Sequence, residues 1–425
     1  MISEIAQKLG AYIEKQVPER PEYAAKLLLA AYRAYRFKLC HFPNPALPGS
    51  KQFLGVASMD AMIRPLAHPE RQVLTSIFTP CEIFHAMDLY PMCAEQFATY
   101  TNGAWCEHAF IEAAEQAGIA ETFCSYHKVV EGAVVSGVLT KPLAVVNTSL
   151  ACDANHLTFR KAAELLKVPQ FYIDVPYAAD EEAVEYVADQ LRDMRAFIED
   201  LAGKKMDEER FAEMMRNSAA TVHHLRKAML LRKEHFVPSE LTAELYEVLM
   251  VHNSLGSPEA LRYAKMLRSD LKKAENRPGR RILWLHSNPF YQEAVKQVFN
   301  YCEDPRIVLT EMCCDTLVDV RENDPYKAMA ARVVRNSFNG PVTRRIDHAL
   351  ETARLTDADG IILFCHWGCK ETCGGSALIA KALEEAGYPV LVINGDGVDR
   401  RNASDGQIGT RIGAFLEMLE GRGHS

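Results

Sequence analysis

Short, almost unbroken apolar runs alternate with helix-length stretches in two separate blocks of this 425-residue chain. No other feature narrows the possible folds as much. In the first block LTSIF (74–78), PLAVVNTSL (142–150) and QFYIDVP (170–176) read as strands, with CEIFHAMDLY (81–90) and HLTFRKAAELLK (156–167) as helices between them. In the second block RRILWLH (280–286), RIVLTEM (306–312), GIILFC (360–365) and PVLVING (389–395) read as strands. Strands apolar on both faces belong in parallel sheets covered by helices, and strand–helix alternation supplies those helices.

The segment between the blocks carries no convincing strand. Val184, Val187, Leu191, Met194, Ile198 and Leu201 follow a 3, 4, 3, 4, 3 spacing, which is one face of a helix. Gly203 is the expected stop, and Asp207 the N-cap of the next helix. The N-terminal part is helical around KLLLAAYRAYRFKL and broken by FPNPALPG. The expectation is an α/β chain of two Rossmann-like parallel-sheet units joined by a helical insert. Its parts are a helical segment (1–75), a first α/β domain (76–178), the insert (179–278) and a second α/β domain (279–425). A weak internal repeat supports two related units. In each, a strand runs into a cysteine and a helix, and a proline opens the next strand, 17 residues after Cys152 and 20 after Cys369.

A net charge of −8 leaves no electrostatic footprint for nucleic acid. The basic run Arg277–Pro278–Gly279–Arg280–Arg281 reads as a solvated linker, with anchoring of CoA or of a phosphate as the alternative. The first residues have no signal-peptide layout and no window is long enough to span a bilayer, so a cytoplasmic location is expected. Twelve cysteines in a reducing compartment point to metal or cluster ligation, not disulfides.

Ligands of open α/β sheets bind at the carboxyl ends of strands. Cys152 follows AVVNTSLA, Cys365 closes GIILF, Cys369 lies one turn beyond, and Cys124 follows ETF, so these four are the candidates. Cys365, Cys369 and Cys373 form C-x3-C-x3-C, which is not the radical adenosylmethionine spacing. Zinc is the rival metal, but Cys124 and Cys152 lack the close partner of a zinc ribbon. Cys313–Cys314 reads as structural, and Cys40, Cys81, Cys93, Cys106 and Cys302 as packing residues. His127, His156 and His366 lie near the candidates in sequence and are possible proton acceptors, although a lone histidine is more often structural. GDGVDR (395–400) has no GxGxxG and no P-loop lysine. It reads as a tight turn, with Asp396 or Asp399 capping the last helix.

FTPCEIFHAMDLYPM, FCSYHK, SLACDANHLTF, VPQFYIDVPY, HWGCKETCGG and INGDGVDRRNASDGQIGTRIGAFLEML together resemble the 2-hydroxyacyl-CoA dehydratase and benzoyl-CoA reductase family. The likeness runs from about residue 75 to the end, and the HWGCK form resembles one particular subunit type. The resemblance implies three cysteine ligands of a [4Fe–4S] cluster at Cys124, Cys152 and Cys369. It also implies a homologous second subunit, an ATP-dependent iron–sulfur activator protein, and one-electron ketyl-radical chemistry on an acyl-CoA substrate. A branch of the family carries a double-cubane [8Fe–9S] cluster and reduces small molecules, which the additional Cys365 and Cys373 keep open. A non-catalytic electron-transfer or redox-sensing protein is the reading of a different class.

Overall fold

The computed structural model describes residues 2–318, 322–402 and 404–422. Ala403, part of the tail motif, lies outside the described residues. Among the described residues, eight strands form two four-stranded sheets. The first contains β1 (Gln72–Thr75), β2 (Tyr90–Cys93), β3 (Ala144–Thr148) and β4 (Gln170–Ile173). The second contains β5 (Arg281–Leu285), β6 (Arg306–Thr310), β7 (Gly360–His366) and β8 (Val390–Gly395). Every pairing within the two sheets is parallel. The strand orders are β2-β1-β3-β4 and β6-β5-β7-β8, so the same topology occurs twice. The repeat is therefore one of architecture.

The central strands are buried throughout. Ile361, Ile362, Leu363 and Phe364 of β7 have no exposed surface, as expected for a strand sandwiched between helices. The striped helix spans Glu181–Ala202, buries Val184, Val187, Leu191, Met194 and Ile198, and ends at Gly203 in the left-handed region. Asp207 caps the following helix, Glu208–Arg232, by accepting from the backbone N–H groups of Glu209 and Arg210. Helices Leu241–Asn253 and Pro258–Lys273 complete the region between the sheets, and Ile2–Gln16, Pro21–His41 and Gly49–Ala67 precede the first sheet.

Four sequence expectations need correction. CEIFHAMDLY is not one helix, because Glu82–Ala86 is helical and β2 begins at Tyr90. β2 is an edge strand, where Pro91 is tolerated because no ladder bond is lost; its proline and short length hide it from apolar patterning. β1 ends at Thr75, and Ser76–Phe78 belong to the loop beyond. Cys124 does not follow a strand but heads the helix Ser125–Val135. Cys40 is exposed and so is no packing residue. Among the described residues no helix is long and apolar enough to cross a membrane.

Candidate functional site

An order of 2-1-3-4 reverses its winding between the two central strands, and the loops after those strands form a crevice. Here the crevices of the two sheets contribute to one cavity. Its wall takes Ile77 and Phe78 from beyond β1, Ala151 and Cys152 from beyond β3, His286 and Ser287 from beyond β5, and His366 and Cys369 from the end of β7. Cys124 enters from the helix Ser125–Val135, and Leu245, Val248 and Leu249 close the apolar side. The empty space is about 710 Å³, part of it open to solvent.

Cys124, Cys152 and Cys369 thus line one cavity, and each is the N-cap of a helix: Ser125–Val135, Asp153–Leu166 and Lys370–Glu385. Three helix N-termini at the wall of one cavity favour negative charge there. Cys152 and Cys369 also share a backbone device. The residue before each is left-handed, Ala151 at φ 64° and Gly368 at φ 82°, which turns the chain sharply from strand to helix.

Each sulfur faces its own imidazole. His366 Nε2 lies 3.3 Å from Cys124 Sγ, His127 Nε2 lies 3.4 Å from Cys152 Sγ, and His286 Nε2 lies 3.8 Å from Cys369 Sγ. The backbone N–H of Gly397 donates to His366 Nδ1 at 3.0 Å. That bond places the ring proton of neutral His366 on Nε2, so the N–H is directed at Cys124. Burial holds all three histidines below their ordinary range, His127 down to about 3.

Burial also raises the three thiols, and the mutual charge of the cysteines adds to this at Cys124 and Cys152. A bare thiolate is therefore disfavoured here, and a cationic centre would restore it. Among the described residues no three His, Cys, Asp or Glu side chains converge as the ligands of a single metal ion. Thiolates of a cluster bind different irons and stand farther apart. The donor set of three soft sulfurs around one apolar-walled space fits such a group.

Two carboxyl groups complete the wall, and burial raises both Glu95 and Glu371. Glu95 accepts the S–H of Cys93 at 3.0 Å. Arg345, buried, forks onto both oxygens of Glu311 at 2.8 Å and reaches Glu371 at 2.7 Å. Glu311 in turn accepts the backbone N–H of His286 at 2.9 Å. One ion-pair network thus supports both His286 and the Cys369 helix.

The 2-hydroxyglutaryl-CoA dehydratase D-component family model matches residues 76–419, which include every strand after β1 and all three cysteines. The chain belongs to this family. Among similar proteins, the (R)-phenyllactyl-CoA dehydratase alpha subunit of Clostridium sporogenes is 24% identical over 336 residues, 74% of this chain and 80% of that one. The lactoyl-CoA dehydratase subunit alpha of Anaerotignum propionicum is 24% identical over 349 residues, 73% of this chain and 81% of that one.

The remaining sequence candidates of this dehydratase-family chain separate clearly. His127 and His366 line the cavity, whereas His156 is exposed beside Tyr172. His286, Glu95 and Glu371 were not expected. His286 had a signal, since β5 and β7 both run into a histidine, as ILWLH and ILFCH; the two glutamates lie in first turns of helices and read as solvated. Cys365 and Cys373 are absent from the cavity wall and face each other instead. Cys313 and Cys314 are buried beneath Glu244 and Glu311, also off the wall.

GDGVDR is a tight turn, but its aspartates do not cap the last helix, Asp405–Arg422. Asp396 accepts from the N–H groups of Val398 and Asp399 and from Ser125 Oγ, beside Cys124. The turn fastens the Cys124 loop to the second sheet. The Arg277–Arg281 run is held by carboxylates: Arg280 by Asp304 and Glu420, Arg281 by Asp357 and Asp359, and Arg277 by Glu275.

Proposed function

We propose that this chain is the iron–sulfur subunit of a 2-hydroxyacyl-CoA dehydratase, with Cys124, Cys152 and Cys369 holding one [4Fe–4S] cluster. The observation that carries the reading is the convergence of three helix-capping cysteines on one cavity, in a chain whose relatives are named dehydratase subunits. Three thiolates on four irons leave one iron without a protein sulfur, and when bound the cluster supplies one-electron chemistry and that open position.

The chain's own residues prepare the surroundings. Phe78, Leu245, Val248, Leu249 and Phe338 keep the cavity largely apolar, which excludes bulk water from an electron-rich centre. His366 presents its Nε2–H to the Cys124 sulfur. Loss of water from a 2-hydroxyacyl group requires a proton for the departing hydroxyl and an acceptor for a carbon-bound proton. Glu95 and Glu371, both raised by burial, are the wall carboxyls available to hold a proton. The separation of Cys365 and Cys373 from the wall favours one cluster over the double cubane.

The alpha-subunit names of the relatives support a second subunit, and the reading calls for that subunit to be homologous and for an ATP-dependent activator as electron donor. The test is anaerobic reconstitution with both proteins and a panel of 2-hydroxyacyl-CoA thioesters. Formation of an enoyl-CoA that requires ATP supports the proposal. No dehydration with any thioester by a fully loaded complex would refute it.

A further inference from the structure

We propose that Cys365 and Cys373 are a redox-active pair that closes into a reversible disulfide across the loop carrying Cys369. Their sulfurs lie 3.0 Å apart, about 1 Å longer than a disulfide bond. The Cys365 S–H donates to the Cys373 sulfur, and the Cys373 S–H donates to the carbonyl of His366 at 3.2 Å. Cys365 is buried in β7, whereas Cys373, in the first turn of the helix Lys370–Glu385, is exposed. One thiol is therefore open to attack a reagent and the other is positioned to resolve the product.

The oxidant is a low-molecular-weight disulfide. The Cys373 thiolate attacks one of its sulfurs, forming a mixed disulfide and expelling one small thiolate. The Cys365 thiolate then attacks the Cys373 sulfur of that mixed disulfide and expels the second. The protein gives up two protons and two electrons, and the small disulfide becomes two thiols. The bond ties the end of β7 to the first turn of the next helix and closes residues 366–372 into a ring. The pairing stands on the contact alone. Its consequence, holding Cys369 at the cavity, rests on the cluster reading.

The test exposes the full chain, purified without oxygen, to oxidised glutathione, followed by alkylation and tryptic mapping. Burial, and then Cys365, hold the Cys373 thiol at about 12, so the reaction is run at alkaline pH. Trypsin cuts after Lys370 and separates Cys365 and Cys369, on peptide 355–370, from Cys373, on peptide 371–381. The expected result is a link between these peptides that dithiothreitol reverses, that Cys365→Ser and Cys373→Ser each abolish, and that Cys369→Ser preserves. A link surviving Cys365→Ser, or glutathione retained on Cys373 as the end state, overturns the proposal. So does iron released in step with the link, because the two thiols would then be ligands. Failure of the cluster reading is seen separately, as a preparation without acid-labile sulfide whose peptides still join.

Discussion

Gly368 packs against the backbone of Cys124, so that a Cβ built on Gly368 would fall 2.7 Å from both the Cα and the N of Cys124. One residue comes from the loop after β7 and the other from the head of a helix flanking the first sheet. The contact brings the Cys369 loop onto the Cys124 loop without a side chain between them. Gly368→Ala meets that backbone and also strains a φ of 82°. A left-handed non-glycine residue costs about 1–3 kcal/mol before the clash is counted. The variant is expected to melt lower and to lose iron. Gly374→Ala, in a helix with nothing within 4 Å of the new methyl group, is expected to do neither.

His366 donates to Cys124 because Gly397 occupies its other nitrogen. A donor to a cluster sulfur stabilises the added electron, so removing it lowers the reduction potential. His366→Phe is expected to shift the potential downward by roughly 60 mV for each 1.4 kcal/mol of hydrogen bond lost. A redox titration followed by electron paramagnetic resonance would read this, and an unchanged potential would contradict the assigned tautomer.

Burial holds His85, His127, His286 and His366 below the ordinary value of 6.5. In the unfolded chain these rings take up protons below pH 6.5, while the folded protein resists protonation, for His127 down to about 3. The unfolded state then binds more protons, so these rings make stability fall as pH drops through this window, for His127 by about 1.4 kcal/mol per pH unit. At His252 burial also works downward, but Asp315 outweighs it, so this ring is raised, and burial raises Glu95, Glu371, Glu107 and Glu131, the last two to about 7; these groups bind protons in the folded state and oppose the trend. Urea midpoints of the metal-free chain and of His127→Phe, compared at pH 7.5, 6 and 5, isolate the one ring: the destabilisation caused by the substitution is expected to shrink as the pH falls. An effect of equal size at all three pH values would contradict a neutral, buried His127.

Arg345 is buried against Glu311, with both oxygens engaged. Removing one partner of a buried pair leaves the other charge unpaired and costs about 3–5 kcal/mol. Arg345→Met is expected to lower the melting temperature sharply. It should also free Glu371 and Cys369 from their brace, so that iron is lost at temperatures where the fold persists. Arg345→Lys, a point charge without the fork, should recover only part of the loss.

Much of this site was legible because its carriers follow strand periodicity. Cys152 and Cys369 lie in the loops just beyond apolar strands, and that position carries ligands in parallel sheets. Cys124 reads as a strand-end residue after ETF, but no strand precedes it, and its placement depends on tertiary contacts through Ser125 and Gly368. β2 was hidden by Pro91 and by its place at the sheet edge. Spacing to the following proline favours Cys369 over Cys365 without deciding between them, because the left-handed turn at Gly368 sets which sulfur reaches the cavity. Glu95 and Glu371 look like ordinary first-turn acids, and only the packing of the two sheets buries them.

Anaerobic iron and acid-labile sulfide analysis of cysteine variants is the sharpest test of the proposal that three thiolates hold one cluster. About four irons and four sulfides per chain are expected for a [4Fe–4S] cluster. Cys124→Ser, Cys152→Ser and Cys369→Ser should each abolish them, while Cys365→Ser, Cys373→Ser and Cys40→Ser should retain them. Zinc without sulfide, roughly eight irons per chain, or loss of iron on replacing Cys365 would contradict the account.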